Sequence, residues 1–261
     1  LYPAESADFP NTMCAFHSML MGISRTNVLS APAVVGAASI LCDGNVKSFA
    51  EAAREQSVPF IFIDVPYDKS GECVEYVKEQ LSDAMKVLSD VTKKKRSDRR
   101  LLEVAGNANT AFDLFRRFYH LQEVNPKRTF AAHELVNFSF SNHFLLGRKE
   151  LIKMLERRCN DVLRHRSQPV GKNAMRLMWL HIVPQYNWPI WEVIHNGRTA
   201  QVVCDEYSSV RYDRYDLSDP LGSIAKRLIG HPSNGHIETR IEHIVKVSND
   251  FKVDGIIHYS S

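Results

Sequence analysis

Residues 58–66 read Val-Pro-Phe-Ile-Phe-Ile-Asp-Val-Pro, "VPFIFIDVP". An apolar run rich in isoleucine and phenylalanine lies between two prolines and carries few polar residues. Such continuous apolar character predicts a strand covered on both faces, as in a parallel sheet. Just before it, "VKSFAEAAREQS" (46–57) has helical composition, and "AASILCD" (37–43) is a second strand candidate, preceded by a third in "TNVLSA" (26–31). Strand, helix and strand in that order outline a βαβ unit.

The same texture returns later in the chain. "MRLMWLHIVP" (175–184), "TAQVVCDEYS" (199–208) and "DGIIHYSS" (254–261) are strand-like. Between them lie a short helix in "NWPIWEVIHNGR", a helix in "DPLGSIAKRLIG" with Asp219 and Pro220 as N-cap and first-turn pair, and a helix in "ETRIEHIVKVSNDFKV". The middle of the chain is helical. Apolar residues at 74, 77, 81, 84, 85, 88 and 91 keep helical spacing, "KKKRSDRR" (93–100) interrupts, and helices are predicted over "TAFDLFRRFYHLQ" (110–122), "FAAHELVNFSF" and "GRKELIKMLERRCNDVLRHR". The fold class predicted is α/β: two doubly wound lobes with parallel sheets, over 1–92 and 169–261, joined by a helical segment over 93–168.

Bulk composition narrows the functional classes. Of the 261 residues 44% are hydrophobic and 24% charged, ordinary for a globular protein. No run approaches the roughly 18 apolar residues of a membrane helix, and the start lacks the basic-then-apolar pattern of a signal peptide. A net charge of +3 is a weak basic footprint, so no nucleic-acid partner is expected, and "KKKRSDRR" reads as a solvated helix face. Cysteines at 14, 42, 73, 159 and 204 are odd in number and widely spaced, which predicts reduced thiols in the cytoplasm. The chain begins without methionine and stops as a strand delivers its last residues, as expected of a piece of a longer polypeptide.

No dinucleotide fingerprint, P-loop, nucleophile elbow, zincin motif or EF-hand loop occurs. What remains is the set of strand ends, where open α/β sheets bind ligands. They bring Cys42 and Asp43, Asp64 to Tyr67, His181, Cys204 to Tyr207, and His258 and Tyr259. Polar residues also end strands simply because strands end at the surface, so Cys42 reads equally as a packed residue, a nucleophile, a redox thiol or a metal ligand. Cys204 reads as core, Cys159 as a packing or surface thiol. Cys14 opens a helix-like piece and could meet Cys42 if that helix starts beside the strand end. His181 reads as catalytic or as a structural hydrogen-bonding residue, and Arg240 as a local partner of Glu238 or Glu242.

Taken in order, "LYPAESADFPNTMCAFHSMLMG", "ILCDGNVKSF", "IFIDVPYD", "LMWLHIVPQYNWPIWEVIHNGRTAQVVCDEYSS" and "RIEHIVKVSNDFKVDGIIHYSS" resemble the iron–sulfur subunits of 2-hydroxyacyl-CoA dehydratases and benzoyl-CoA reductases. "WLHIVPQY" and "LYPAESADFP" lean towards the beta-type subunit of the dehydratases. The resemblance implies a 4Fe–4S cluster held by three cysteines. Carried over, the first two are Cys14 and Cys42, with Asp43 as a neighbour of the ligands, and the third falls beyond Ser261. It also implies a companion subunit in a heterodimer, an ATP-dependent iron–sulfur activator protein and a 2-hydroxyacyl-CoA substrate. One injected electron would reduce the thioester to a ketyl radical that expels the 2-hydroxyl, with Glu206 and His181 as candidate catalytic residues. An aromatic acyl-CoA reductase subunit and a non-catalytic electron-transfer subunit are the alternatives.

Overall fold

The computed structural model describes residues 14–26, 30–124, 128–129, 141, 144–164, 168–169, 171–181, 189–210 and 213–258. The expected helix in "FAAHELVNFSF", the stretch 182–188 and the first thirteen residues lie outside the described residues. The chain divides into two compact units: Leu1–Asp98 with Leu221–Ile237 and Ser261, and Arg99–Pro220 with Glu238–Ser260. Both are α/β with parallel strands.

In the first unit, β1 (Val35–Ala38) pairs in parallel with β2 (Phe60–Ile63), Val35 opposite Phe60 and Ala38 opposite Ile63. Helix α2 (Asp43–Glu55) makes the crossover, and α1 (Ala15–Arg25) packs on it, with the Arg25 guanidinium forked onto Glu55 and Gln56 Nε2 donating to the Ser24 carbonyl. Helix α3 (Gly71–Thr92) is capped by Ser70, which accepts from the Cys73 N–H, and stops at Lys93 in the left-handed conformation (φ 56°). That stop, rather than charge alone, is why the lysine run breaks the helix. The core gathers Ile40, Ile63, Val65 and Val77 with Ala225 and Ile229 of a helix from far down the chain.

Strand β1 ends earlier than the expected 37–43. Ile40 goes into the core, Leu41 turns through a left-handed conformation (φ 79°) onto the surface, and Cys42 and Asp43 belong to the start of α2. Helix α2 therefore begins at Asp43 and not at 46. Ser30 and Ala31 are not in a strand.

In the second unit, α4 (Asp98–Val124) begins well before the expected 110 and is followed by a two-residue strand β3 (Arg128–Thr129), α5 (Lys149–Leu163) and β4 (Gln168–Pro169), the antiparallel partner of β3. The main sheet is parallel, in the order β6 (Ala200–Asp205), β5 (Met175–Leu180), β7 (Gly255–His258). In chain order the short α6 (Ile190–Ile194) lies between β5 and β6, and α8 (Ile237–Asp250) precedes β7; α7 (Pro220–Ile229), between β6 and α8 in the chain, packs in the first unit. Both sheet faces are covered. Met178 and Cys204 pack with Leu151, Leu155, Phe118 and Phe251, while Leu177, Trp179 and Val202 pack with Trp191. Such two-sided burial puts the neighbours Val202, Val203 and Cys204 of β6 all inside, and Gln201 and Asp205 with them. Completely burying a side chain the size of Leu155 contributes about 1.5–3 kcal/mol. Cys204 and Cys159 are both buried. Burial, with the Asp205 charge adding to the effect, pushes the Cys204 thiol pKa well up, so it is an inert core thiol.

Candidate functional site

Cys14 and Cys42 occupy equivalent places: each is the N-cap residue of a helix, α1 and α2 respectively. The Cys14 carbonyl accepts the N–H groups of His17 and Ser18 at 3.0 and 3.1 Å, and the Cys42 carbonyl accepts that of Asn45 at 3.1 Å. Neither sulfur caps its own helix. The first peptide N–H groups of a helix carry partial positive charge. Cys42 is exposed and Cys14 partly buried. Asp43, also exposed, lies in the first turn of α2.

His17 ties the two helix starts together. It sits one turn into α1 from Cys14, yet its Nε2 is 3.5 Å from Cys42 Sγ, and its Nδ1 is 3.0 Å from Ser48 Oγ on α2. Ser48 also donates to the Gly44 carbonyl at 2.8 Å. Both His17 and Ser48 are buried, and burial lowers the His17 pKa, which favours the neutral ring. Gly44 is needed here. A Cβ on it would stand 2.9 Å from His17 Nε2 and 3.2 Å from Cys42 Sγ. The sequence does not announce this cluster. Its one legible trace is the spacing Cys14–His17, which puts both on one turn of α1.

Glu206 and His181 fall in the second unit, at the carboxyl ends of β6 and β5. Glu206 is 2% exposed and fully engaged. Arg240 reaches it with Nε at 2.5 Å and Nη2 at 2.9 Å, the His181 backbone N–H donates to Oε2 at 3.0 Å, and His243 Nε2 lies 3.2 Å from its carbonyl. Burial pushes the Glu206 carboxyl up, but the Arg240 hydrogen bond, the His181 N–H and the Arg240 charge outweigh it and hold the group below its ordinary value. A carboxylate so fully spoken for braces its surroundings. Arg240 thus pairs across the fold and not with Glu238 or Glu242. Residues two apart on a helix do not face each other, so those glutamates are out of reach.

What Glu206 braces is His181, held with a left-handed backbone (φ 69°). Its ring stands between Tyr207 and His258, with centroids 6.3 Å from each. Burial foremost, and then the Arg240 charge, lower its pKa, so the ring is neutral near pH 7. Its Nδ1 is buried and has no hydrogen-bond partner among the described residues. The ends of the three parallel strands thus present a histidine pair and a tyrosine, the place where such sheets bind ligands. Among the described residues no group of three or more His, Cys, Asp or Glu side chains gathers as a metal site. Cys14 and Cys42 fit an iron–sulfur cluster in donor chemistry, as two thiols at helix N-termini. They form part of a ligand set and not a whole one.

Parallel-stranded lobes, thiols at two helix starts and a histidine-bearing strand end define an α/β protein with candidate functional groups at helix starts and strand ends. The sequence profile of 2-hydroxyglutaryl-CoA dehydratase, D-component, matches residues 2–261, and the chain belongs to that family. The chain is similar to the (R)-phenyllactyl-CoA dehydratase alpha subunit of Clostridium sporogenes, 28% identical over 110 residues that cover 39% of this chain and 27% of that protein. It is also similar to the alpha subunit of (R)-2-hydroxyglutaryl-CoA dehydratase of Acidaminococcus fermentans, 22% identical over 251 residues, 90% of this chain and 50% of that protein. The chain therefore spans half or less of the length of these relatives. Both are alpha subunits, whereas the stretches "WLHIVPQY" and "LYPAESADFP" lean towards the beta type.

Proposed function

We propose that this chain is part of a 2-hydroxyacyl-CoA dehydratase and that Cys14 and Cys42 are two of three cysteine ligands to a 4Fe–4S cluster. The observation that carries the reading is the placing of both thiols at helix N-caps in one compact unit, within a family match over residues 2–261. The relatives are named as dehydratase subunits, which supports a companion subunit. A cluster held by these thiols and charged by an ATP-dependent activator would supply a one-electron reductant of low potential for the substrate's thioester.

The chain's own residues do the holding and shaping. The helix N-termini offset the negative charge of the two thiolates, and Gly44, having no Cβ, lets the His17 ring and Cys42 Sγ approach each other. Asp43 adds an acidic group beside Cys42 in the first turn of α2. In the second unit His181 lines the strand-end site, its ring beside Tyr207 and His258. Glu206, saturated by Arg240, positions His181 instead of moving protons itself. The protein is assigned to the cytoplasm on its reduced cysteines. No described helix is long and apolar enough to cross a membrane.

The test is a substrate screen on the complete protein with its companion subunit and activator, without oxygen. Formation of an enoyl-CoA from a 2-hydroxyacyl-CoA supports the reading. Reduction of benzoyl-CoA instead favours an aromatic acyl-CoA reductase. Bound iron without turnover of either marks an electron-transfer subunit.

A further inference from the structure

The sulfur of Cys42 has a buried partner, and that partner has a buried support. His17 is 4% exposed and Ser48 is fully buried, so neither turns to bulk water for hydrogen bonds. Ser48 Oγ stands 2.8 Å from the Gly44 carbonyl, 3.3 Å from the Asn45 carbonyl and 3.0 Å from His17 Nδ1. A hydroxyl has one hydrogen and accepts through two lone pairs. With that hydrogen on the Gly44 carbonyl, Ser48 accepts Nδ1–H, and Nε2 turns a lone pair to the Cys42 thiol. With the hydroxyl swung to Nδ1, the ring carries its hydrogen on Nε2 and donates to a sulfur that has lost its proton. The ring is neutral in both arrangements, and only the tautomer changes. The proton that leaves Cys42 on metal binding goes to solvent, as for any thiol ligand.

We propose that His17 is a positioning residue for Cys42: Ser48 fixes its ring, and His17 Nε2–H donates to the Cys42 sulfur once that sulfur is bound to iron, raising the potential of the cluster. The inference rests on the reading of Cys42 as a cluster ligand. Hydrogen bonds to ligand sulfur are among the factors that set cluster potentials, because they withdraw charge that the oxidised cluster would otherwise use. Gly44 belongs to the same device, since any Cβ there crowds both ends of the contact, at 2.9 and 3.2 Å.

The experiment uses the complete protein with its companion subunit, purified and reconstituted without oxygen, in the wild type and in His17→Leu, His17→Gln and Ser48→Ala. Iron per chain, the midpoint potential and the electron paramagnetic resonance spectrum of the reduced cluster are measured, with circular dichroism as a check on folding. His17→Leu is expected to shift the potential to a more negative value or to lose iron while staying folded. His17→Gln restores an amide N–H near the Nε2 position and is expected to recover part of the shift. Ser48→Ala is expected to shift the potential in the same direction as His17→Leu, by less. Wild-type potential and spectrum in both His17→Leu and Ser48→Ala overturn the inference and leave the ligand reading standing. If His17→Leu fails to fold, an unchanged Ser48→Ala variant overturns it alone. Absence of iron from the wild type overturns the ligand reading, and this inference with it.

Discussion

Replacing Arg240 by Met strands Glu206 as a buried anion. The carboxylate is 2% exposed, and its remaining donor among the described residues is the His181 backbone N–H at 3.0 Å. Removing one partner of a buried ion pair costs about 3–5 kcal/mol, and the lower end applies here because the Arg240 side chain is 32% exposed. About 3 kcal/mol corresponds to a fall in melting temperature of roughly 6–12 °C for a chain of this size. The pH dependence gives the sharper test. In the wild type the Glu206 carboxyl is held below its ordinary value, so its contribution is complete above that value and is lost as pH falls through the lowered one. Without Arg240, burial dominates and raises the carboxyl pKa, so acid relieves the variant. The stability gap between the two proteins is therefore widest near pH 7 and narrows as pH falls towards 4. Adding Glu206→Gln to Arg240→Met removes the charge, keeps an acceptor for His181 and restores most of the loss. Urea unfolding at several pH values reads all three proteins. A gap below about 1 kcal/mol at pH 7, or one that widens with acid, refutes the account of Glu206 as a braced anion.

Three further outcomes follow from the packing. Gly44→Ala improves helix propensity by about 1 kcal/mol yet is expected to destabilise, because its Cβ meets the pinned His17 ring at 2.9 Å; a stabilised variant in urea unfolding contradicts the tight corner. Asn109 is 2% exposed and bridges the Tyr215 backbone, accepting its N–H at 2.6 Å and donating to its carbonyl at 2.9 Å, so Asn109→Ala is expected to cost about 2–4 kcal/mol by calorimetry, and a loss under 1 kcal/mol goes against it. Asp205 is buried with its carboxyl pKa raised, by burial above all, and accepts the Ser208 N–H at 2.8 Å; Asp205→Asn keeps an acceptor and is expected to be neutral or stabilising at pH 7, whereas a loss of about 2 kcal/mol or more shows that the charge is needed.

Where the sequence could be read and where it could not have separate physical causes. The run 58–66 declares its strand by its continuous apolar character, although the strand is not covered on both faces as expected: Ile63 and Val65 are buried while Phe62 is 40% exposed. The apolar period of α3 declares a helix because Val74, Val77, Leu81 and Ala84 turn to the core. The start of α2 is less legible. Ile40 and Leu41 look like a strand's continuation, but one is buried from a turn and the other lies exposed at a left-handed φ, and composition does not separate those fates. Long-range partners are silent in sequence: Arg240 lies 34 residues from Glu206, and Ser48 lies 31 from His17. Nor does the sequence say that Ala225 and Ile229 return to the core of the first unit. Cys14 and Cys42 could be singled out as candidates, but their shared N-cap geometry depends on where two helices begin.

The central claim is that Cys14 and Cys42 hold a 4Fe–4S cluster, and iron analysis tests it most directly. The complete protein, purified without oxygen, is expected to carry one such cluster per chain, seen as iron, acid-labile sulfide and a charge-transfer absorption band. Cys42→Ser, folded by circular dichroism, is expected to lose it. A Cys42→Ser protein with the iron and sulfide of the wild type contradicts the account.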